Sequence, residues 1–266
     1  MPSTFRELDW YETPHYYDII FDVDTGREAD FLEAAQQRYG RSRGRRVLEP
    51  AAGSGRLLVE LARRGWRCTG FDASQPMLDY AGERLSEQGL SARLVQARME
   101  DFELRGPFDL AHCLVSTFKY LLDEDSARAH LERVAAALAP GGIYVLGLHL
   151  SEYGLGAISH ERWVAERDDT RVVCNIRGWP PERRRRRERV RSRLAVEQGG
   201  ERRFTETEWW FRTYDARQLS ALVESVPALE LVAVHDFDYR LESSGPIDDE
   251  RLDRLLILRR PGGRGA

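Results

Sequence analysis

The sequence predicts an α/β protein with a doubly wound, mostly parallel seven-stranded sheet and an antiparallel β insertion after the fifth strand. Three observations predict this class. Short apolar runs alternate with amphipathic helical patterns over residues 45–150, residues 160–213 alternate with period two without a helical signal, and a helix and two apolar runs follow. Strands that alternate with helices form parallel sheets, whereas period-two runs between turns form antiparallel strands.

Each element follows from local signals. The first part of the chain is a polar leader whose clearest helix, ADFLEAAQQRYG, ends at a glycine. In the alternating part, glycines end the first two helices, a serine caps the second, and the third has an acidic start and a Pro-Gly-Gly end. The last two strands resemble a closing hairpin. Helices are predicted at 55–65, 74–89, 123–142 and 215–225, and strands at 46–49, 67–72, 92–97, 108–115, 143–150, 229–237 and 254–260.

This order of elements predicts three parts of one chain. Residues 1–44 form a helical leader or lid, and residues 45–159 and 214–262 form the core. Residues 160–213 form an antiparallel insertion of about three or four strands, which caps the substrate or makes a dimer interface.

Composition narrows the class of protein. The 266 residues carry a formal net charge of −4, which argues against general binding of nucleic acid. The cysteines Cys68, Cys113 and Cys174 lie far apart without metal-ligand spacing, so we expect reduced thiols, a cytoplasmic protein and no metal. The N-terminal stretch has no signal-peptide pattern, and no apolar run is long enough to span a bilayer. We therefore expect neither membrane nor nucleic acid as a partner.

The stretch VLEPAAGSGR, residues 47–56, places a glycine-rich turn after the first parallel strand. No Gly-Lys-Ser/Thr follows, which excludes a Walker phosphate loop, and Leu58 replaces the third glycine of a dinucleotide fingerprint. Glu49 would repel a pyrophosphate here, but it suits a cationic or amine-bearing ligand. Asp72 ends the second strand, where an acid accepts hydrogen bonds from ribose hydroxyls. A positively charged ribose ligand without phosphates fits S-adenosylmethionine.

Five stretches in order carry a family resemblance: VLEPAAGSGR, GFDASQPML, LVQARMEDF, FDLAHCLVSTFKYLL and LAPGGIYVLGLH. They resemble the successive motifs of class I S-adenosylmethionine-dependent methyltransferases, small-molecule methyltransferase branch, and cover roughly residues 16–150. The resemblance implies a Rossmann-like fold and S-adenosyl-L-methionine as cofactor, with S-adenosyl-L-homocysteine as its product. It implies methyl transfer by in-line displacement to a nitrogen, oxygen or carbon nucleophile of a small-molecule acceptor.

The same resemblance implies where the cofactor is bound. Glu49 would bind the methionyl amine, Gly53 and Gly55 would let the backbone approach the cofactor, and Asp72 would bind the ribose hydroxyls. Ala51 stands where the family has its first glycine, so this position needs either a negative φ or a loop that absorbs the strain.

The adenine side departs from the family pattern. Arg98 stands where an acid commonly binds the adenine amine, so Glu100 or Asp101 would substitute for it. Met77 and Met99 either pack near the adenine or belong to the core. The full set of expected cofactor contacts is Tyr17, Glu49, Ala51, Gly53, Gly55, Arg56, Asp72, Ala73, Met77, Arg98, Met99, Glu100, Leu114 and Val115.

Candidate acceptor-site residues come from the ends of the fourth and fifth strands and from outside the core motifs. Tyr120 and His149 are predicted catalytic residues, each as a base or as an orienting group, and packing at a helix start or a strand end is the alternative for each. Tyr16, Trp210 and Arg212 are predicted to bind the substrate.

The most basic stretch, PERRRRRERVRSRL, runs from Arg183 to Arg193 and has three interpretations: a solvated hairpin, a grip on an anionic substrate, or contacts to RNA phosphates. Strand alternation puts Arg189, Arg191 and Arg193 on one face, which favours an ordered hairpin. Lys119, the only lysine, is expected at the surface.

Two alternative functions remain open from the sequence. An RNA methyltransferase could use the Arg183–Arg193 run, although the segment CLVSTF lacks the Asn/Asp-Pro-Pro-Tyr/Phe tetrapeptide of base-amino methyltransferases. A non-catalytic S-adenosylmethionine-binding protein would keep the same cofactor motifs. The insertion could also join two copies into a homodimer.

Overall fold

Two β-sheets organise the chain. The structure, a computed structural model, describes residues 5–154, 156–242 and 244–262. The strands are β1 (Arg6–Glu7), β2 (Arg46–Pro50), β3 (Arg67–Asp72), β4 (Ala92–Gln96), β5 (Phe108–Cys113), β6 (Leu138–His149), β7 (Ser159–Arg167), β8 (Thr170–Gly178), β9 (Arg187–Gln198), β10 (Glu201–Arg212), β11 (Glu230–His235) and β12 (Asp253–Arg259). The helices are α1 (Pro14–Phe21), α2 (Thr25–Tyr39), α3 (Arg56–Arg63), α4 (Gln75–Glu87), α5 (Glu124–Ala137) and α6 (Ala216–Glu224), with short 3-10 helices at Trp10–Glu12 and Thr117–Tyr120.

The larger sheet has seven strands in the order β11-β12-β6-β5-β2-β3-β4. Strands β6, β5, β2, β3 and β4 run parallel, while β12 and β11 form the antiparallel closing hairpin. The predicted fold class is therefore confirmed. The strand order reverses between β2 and β5, and ligands bind at such a switch point, beyond the carboxyl ends of the strands.

Helices cover both faces of this sheet, which explains why its central strands are apolar throughout. On one face α2 and α3 pack against strand residues such as Val47, Leu110 and Ile257. On the other face α5 and α6 pack against residues that include Tyr144 and Leu256. The resulting rigid sheet fixes the ends of β2, β3 and β5 relative to one another.

Several predicted boundaries were wrong, and two of these errors have identifiable reasons. Helix α5 ends at Ala137 instead of residue 142, because Pro140 lacks an amide proton and disfavours helical geometry in the residue before it. Strand β5 ends at Cys113 instead of residue 115, because Val115 and Ser116 turn the chain with φ angles of 55° and 64°. That turn leads directly into the 3-10 helix that carries Tyr120.

The leader and the insertion share one structure. The insertion contributes four antiparallel strands, and β1 of the leader pairs in parallel with β10 to complete a five-stranded sheet. The sequence predicted a helical leader, but the leader also contributes a strand. Its helix α1 places Ile19 and Ile20 against Val172 and Leu194 of the insertion. Residues 1–4 of the predicted leader, and Leu155 and Ser243 in the predicted core, lie outside the described residues.

No helix in the described ranges is long and apolar enough to cross a membrane.

Candidate cofactor and acceptor site

The glycine loop leaves β2 in left-handed backbone conformations. Ala51, Gly53 and Gly55 have φ angles of 51°, 54° and 70°. A side chain at Gly55 is excluded by helix α4, since an added Cβ would lie 2.7 Å from the Cβ of Ala81. Open space surrounds the same position at Gly53, so a ligand can approach its backbone. The sequence analysis required Ala51 to have either a negative φ or a strained backbone. The positive φ shows that the loop holds Ala51 in the strained conformation.

Asp72 is fixed at the carboxyl end of β3 by two backbone amides. The amide of Gly53 donates to Oδ2 over 2.9 Å, and the amide of Ser74 donates to Oδ1 over 2.8 Å. Burial raises the pKa of Asp72, while these hydrogen bonds oppose the shift. Each carboxylate oxygen keeps a second lone pair, which can accept a ligand hydroxyl in a preorganised geometry.

Glu49 lies at the end of β2 as a buried acid with spare hydrogen-bonding capacity. Its Oε2 atom has no hydrogen-bond partner in the described part of the chain. Burial raises the pKa of Glu49 well above its usual range, Glu28 and Asp72 add to the shift, and Arg56 opposes it. Arg56 itself forms an ion pair with Glu28. A buried carboxyl without a partner suits a cationic group supplied by a ligand.

Two cavities meet at the glycine loop. The larger, of about 950 Å³, extends from the loop along the ends of β3 and β4 to both 3-10 helices. The smaller, of about 60 Å³, lies over Glu49, and Tyr17, Ala51, Gly53 and Thr117 line both. The cavity walls include every expected cofactor contact except Gly55 and Met77: Tyr17, Glu49, Ala51, Gly53, Arg56, Asp72, Ala73, Arg98, Met99, Glu100, Leu114 and Val115.

Gly55 and Met77 do not line either cavity but lie in the elements that support it. Gly55 starts helix α3 and lets it approach α4. Met77 is fully buried in α4, so the structure supports the core alternative for this residue. On the adenine side, Arg98 is exposed and forms an ion pair with Glu100 over 2.6 Å. This ion pair occupies part of the hydrogen-bonding capacity of Glu100.

Tyr11, Tyr17 and Tyr120 line one part of the larger cavity, which we call the candidate acceptor side. The hydroxyl of Tyr11 donates to the hydroxyl of Tyr120 over 2.7 Å, and the Tyr11 and Tyr17 rings lie 5.6 Å apart. Burial raises the pKa of Tyr120, so its hydroxyl stays protonated at neutral pH. This favours the orienting role for Tyr120 over the role of a base. The sequence analysis missed Tyr11, because its contact with Tyr120 joins residues far apart in the chain.

His149 is placed differently from the expectation that it faces the acceptor. Its Nδ1 atom pairs with Asp253 of the neighbouring strand β12, and its ring lies 4.9 Å from that of Phe237. Its side chain is 47% exposed and lines neither of the two cavities. The backbone amide of His149 donates to Ser116 Oγ over 2.9 Å, so it braces the turn after β5. This geometry does not support the catalytic expectation.

The predicted substrate-binding residues also lie away from the cavity walls. Tyr16 donates to Gln198 of the insertion over 3.3 Å, and Arg212 is buried against Glu124. Trp210 is 39% exposed. Its neighbour Trp209 instead packs inward against the leader, with its ring 4.7 Å from that of Trp10 and 6.5 Å from that of Tyr120. Alternation along β10 separated the two tryptophans correctly, but it could not tell which one faces inward.

Acidic side chains that the sequence analysis did not single out complete the larger cavity. Asp9, Glu12 and Asp123 line it together with Arg187. Asp9 and Asp123 also cap the helical turns that follow them. The cavity therefore presents more acidic than basic groups to a ligand on its acceptor side.

The arginine run is largely neutralised within the protein. Arg185 pairs with Glu182, Arg186 with Glu124, and Arg191 and Arg193 with Glu206. Arg189 stacks on Trp179, with its guanidinium carbon 3.8 Å from the ring centroid. These contacts support the ordered hairpin.

The sequence analysis expected Lys119 at the surface, but the structure places it in the interior. Its ammonium is buried and pairs with Glu188 of β9 over 2.6 Å. In the described ranges, no group of three or more histidine, cysteine or acidic residues could hold a metal ion.

A buried acid, a left-handed glycine turn and a second acid lie at the ends of adjacent parallel strands. Together they define a Rossmann-like protein with a site for a nucleoside ligand that carries a cationic group. Residues 47–142 match the family model of a methyltransferase domain. This match and the similar proteins described below support a class I S-adenosylmethionine-dependent methyltransferase family for the chain.

Similar proteins include N-methyltransferases. The chain is 27% identical over 217 residues to the dTDP-4-amino-2,3,4,6-tetradeoxy-D-glucose N,N-dimethyltransferase of Saccharopolyspora spinosa, which covers 77% of this chain and 82% of that protein. It is 30% identical to the glycine/sarcosine N-methyltransferase of Halorhodospira halochloris, covering 54% of this chain and 57% of that protein. With two other curated relatives, the chain spans 63% and 60% of their lengths.

Among solved structures, the sugar N-methyltransferase KedS8 from Streptoalloteichus sp ATCC 53650 superimposes with a TM-score of 0.73. It is 20% identical, and the alignment covers 98% of this chain and 97% of that chain. At this identity the likeness concerns the fold, including the β insertion.

Proposed function

We propose that the protein is an S-adenosylmethionine-dependent methyltransferase that acts on an amine of a small molecule. The observation that carries this proposal is the position of Glu49, Gly53 and Asp72 in the walls of two cavities that meet at the glycine loop. Tyr17 and Thr117 line both cavities, and the larger one continues from them to Tyr11 and Tyr120. A ligand seated on the glycine loop would thus present its reactive end to Tyr11 and Tyr120.

The residues present fit S-adenosylmethionine. The unpartnered Glu49 carboxyl suits its ammonium group, open space at Gly53 accommodates close backbone approach, and Asp72 offers two fixed oxygens to the ribose hydroxyls. Ala73 and Met99 would line the adenine. When bound, S-adenosylmethionine supplies an activated methyl group on a positively charged sulfur.

The residues of this chain contribute mainly position and enclosure. Tyr11 donates to Tyr120, so the Tyr120 hydroxyl keeps its own proton to donate to an acceptor. A fixed nucleophile supplies much of the rate of such a displacement. Tyr120 and Tyr17 both have a pKa raised by burial, so neither serves as a base at neutral pH.

The chemistry of the cavity walls favours an amine over an aliphatic hydroxyl. No histidine or lysine lines either cavity described above. A hydroxyl acceptor needs a base, whereas the neutral form of an amine is already a nucleophile. Asp9, Glu12 and Asp123 favour the approach of a cationic amine. The amine acceptors in the printed names of several relatives support the same class.

The test combines calorimetry and a methyl-transfer assay. We expect S-adenosylhomocysteine to bind and transfer to occur on amino sugars or small amino acids, but not on matched sugars that bear a hydroxyl in place of the amine. Binding of a nicotinamide dinucleotide without any response to S-adenosylhomocysteine would overturn the cofactor assignment. Transfer to the hydroxyl compounds alone would overturn the amine assignment.

A homodimer through the insertion also belongs to this proposal. Trp210 and Val164, on the face of the insertion away from α1, are 39% and 42% exposed. Light scattering of the wild type and of Trp210→Ser would test it. A wild type that is monomeric at assay concentration would remove the dimer.

A further inference from the structure

A buried histidine is a close neighbour of Glu49, which lines the smaller cavity. His112 occupies β5, the strand next to β2, and its side chain is fully buried. Its Nδ1 atom is 3.9 Å from Glu49 Oε1. Neither ring nitrogen of His112 has a hydrogen-bond partner in the described chain, and neither does Glu49 Oε2. Three unpartnered buried polar atoms thus belong to two neighbouring side chains, of which Glu49 lines the smaller cavity.

Such a cluster is costly unless a binding event completes it. Buried polar groups in proteins are nearly always hydrogen-bonded, and leaving one without a partner destabilises the fold. Burial lowers the pKa of His112 to about 3, and Arg56 adds to the shift, so the ring is neutral under ordinary conditions. A neutral imidazole carries one N–H donor, and the Glu49 carboxyl is an acceptor close to the His112 ring.

We propose that His112 is a positioning residue whose Nδ1–H donates a hydrogen bond to the Glu49 carboxylate when the ammonium group of a ligand is bound. The proposal rests on the proposed function, because it concerns the same cofactor pocket. A hydrogen bond requires about 2.7–3.2 Å, so the two side chains need to approach by roughly 1 Å.

The charges around Glu49 explain why the hydrogen bond is linked to the ligand. Without a ligand, burial together with Glu28 and Asp72 raises the pKa of Glu49 and so favours the protonated carboxyl. Arg56 opposes this shift but is committed to Glu28. An arriving ammonium favours the ionised carboxyl, whose proton then leaves through the cavity to solvent. The imidazole gains no proton and serves only as a donor.

Calorimetry with two ligands separates this role from simple packing. S-adenosylhomocysteine carries the ammonium group, whereas 5′-methylthioadenosine has the same nucleoside without the amino-acid part. We expect His112→Leu to weaken binding of S-adenosylhomocysteine about 10- to 100-fold while changing binding of 5′-methylthioadenosine less than about 2-fold. His112→Asn, whose amide can donate from a similar place, should recover most of the lost affinity.

Proton release provides a second measurement. In buffers of different ionisation enthalpy, the wild type at pH 7 should release a proton on binding S-adenosylhomocysteine and none on binding 5′-methylthioadenosine. Equal loss of affinity for both ligands in His112→Leu would show that His112 only packs, and unchanged affinity for both would also overturn the proposal. Failure of the wild type to bind either ligand would instead refute the proposed function.

Discussion

The hydroxyl of Tyr11 donates to the hydroxyl of Tyr120 over 2.7 Å, and this hydrogen bond joins the leader to the turn after β5. Tyr11 lies in the 3-10 helix Trp10–Glu12, which the insertion holds through a hydrogen bond from the amide of Trp10 to Thr207 Oγ1 over 3.1 Å. The acceptor side of the cavity is thus assembled from three separated segments of the chain.

Removing the Tyr120 hydroxyl tests whether it orients the acceptor or acts as a base. We expect Tyr120→Phe to raise KM for the acceptor about 10-fold and to lower kcat by less than about 10-fold, because an orienting hydrogen bond is lost but no base. Affinity for S-adenosylhomocysteine should not change. A fall in kcat of about 10²-fold or more, with a shifted pH profile, would identify Tyr120 as a base after all.

Tyr11→Phe should produce a weaker version of the same effect. The substitution keeps the ring in the cavity wall and removes only the hydroxyl that donates to Tyr120. The orientation of the Tyr120 hydroxyl therefore becomes less well fixed. We expect a rise in KM of about 3- to 5-fold, which corresponds to roughly 1 kcal/mol. In the double variant with Tyr120→Phe, the two effects should not add, because both act through one hydrogen bond. Additive losses would show that the two hydroxyls act independently.

Glu49→Gln should make the ligand-free protein more stable while it abolishes tight cofactor binding. Because the pKa of Glu49 is raised in the folded protein, the folded state holds a proton that the unfolded state loses above about pH 4.3. The carboxyl therefore costs stability that grows as pH rises from that value towards its raised pKa. We expect Tm at pH 7 to increase by about 2–4 °C, and the difference to disappear near pH 4. A lower Tm at pH 7 would contradict the assignment of Glu49 as a ligand-binding acid that costs stability.

Asp18 is expected to matter for stability more than any other acid of the leader. It is fully buried, accepts a hydrogen bond from Ser54 Oγ over 2.6 Å, and pairs with Arg84 and with Arg167 of the insertion. Asp18→Asn leaves two guanidinium groups short of a charge, so we expect a loss of about 3–5 kcal/mol in urea unfolding. The matched control Asp22→Asn, which removes a more exposed partner of the same arginines, should cost less than about 1 kcal/mol. Equal losses in the two variants would show that burial of Asp18 is not the reason for its effect.

Asp72→Asn tests the ribose site against a surface acid of the next helix. One oxygen of the carboxylate becomes an amide donor, which cannot accept the hydrogen bond of Gly53 or of a ligand hydroxyl. Affinity for S-adenosylhomocysteine should fall by about 1–3 kcal/mol. Asp79→Asn on the exposed side of α4 should leave the affinity unchanged. Unchanged affinity in Asp72→Asn would remove this residue from the ribose site.

The sequence could predict the cofactor side of the site because those residues lie at fixed points of the parallel sheet. Glu49 and Asp72 end adjacent strands, and that alone places both beside the glycine loop. The acceptor side depends on contacts between distant segments. Tyr11 reaches Tyr120 only because the leader pairs with β10, and a strand of two residues gives almost no pattern in the sequence.

The misplaced residues show the same limit in detail. Period two separates Trp209 from Trp210, but the choice of the inward face depends on where α1 packs. His149 is placed by its partner Asp253, which lies on an antiparallel strand 104 residues further along the chain. Lys119 is buried because Glu188 of β9 is close enough to neutralise it. In each case a contact with a distant segment determines the surroundings of the side chain, and the neighbouring residues in the sequence do not reveal that contact.

The pairing of β1 with β10 has a consequence for any attempt to exchange acceptor preference between relatives. The backbone amide of Leu8 donates to the carbonyl of Glu206 over 3.0 Å, so backbone hydrogen bonding joins the leader to the insertion. A chimera that transplants the insertion alone would present the host leader with a foreign strand edge and a foreign partner for α1. Recombination that preserves a working enzyme therefore has to move the leader and the insertion as one unit, although the 115 core residues 45–159 separate them in the sequence.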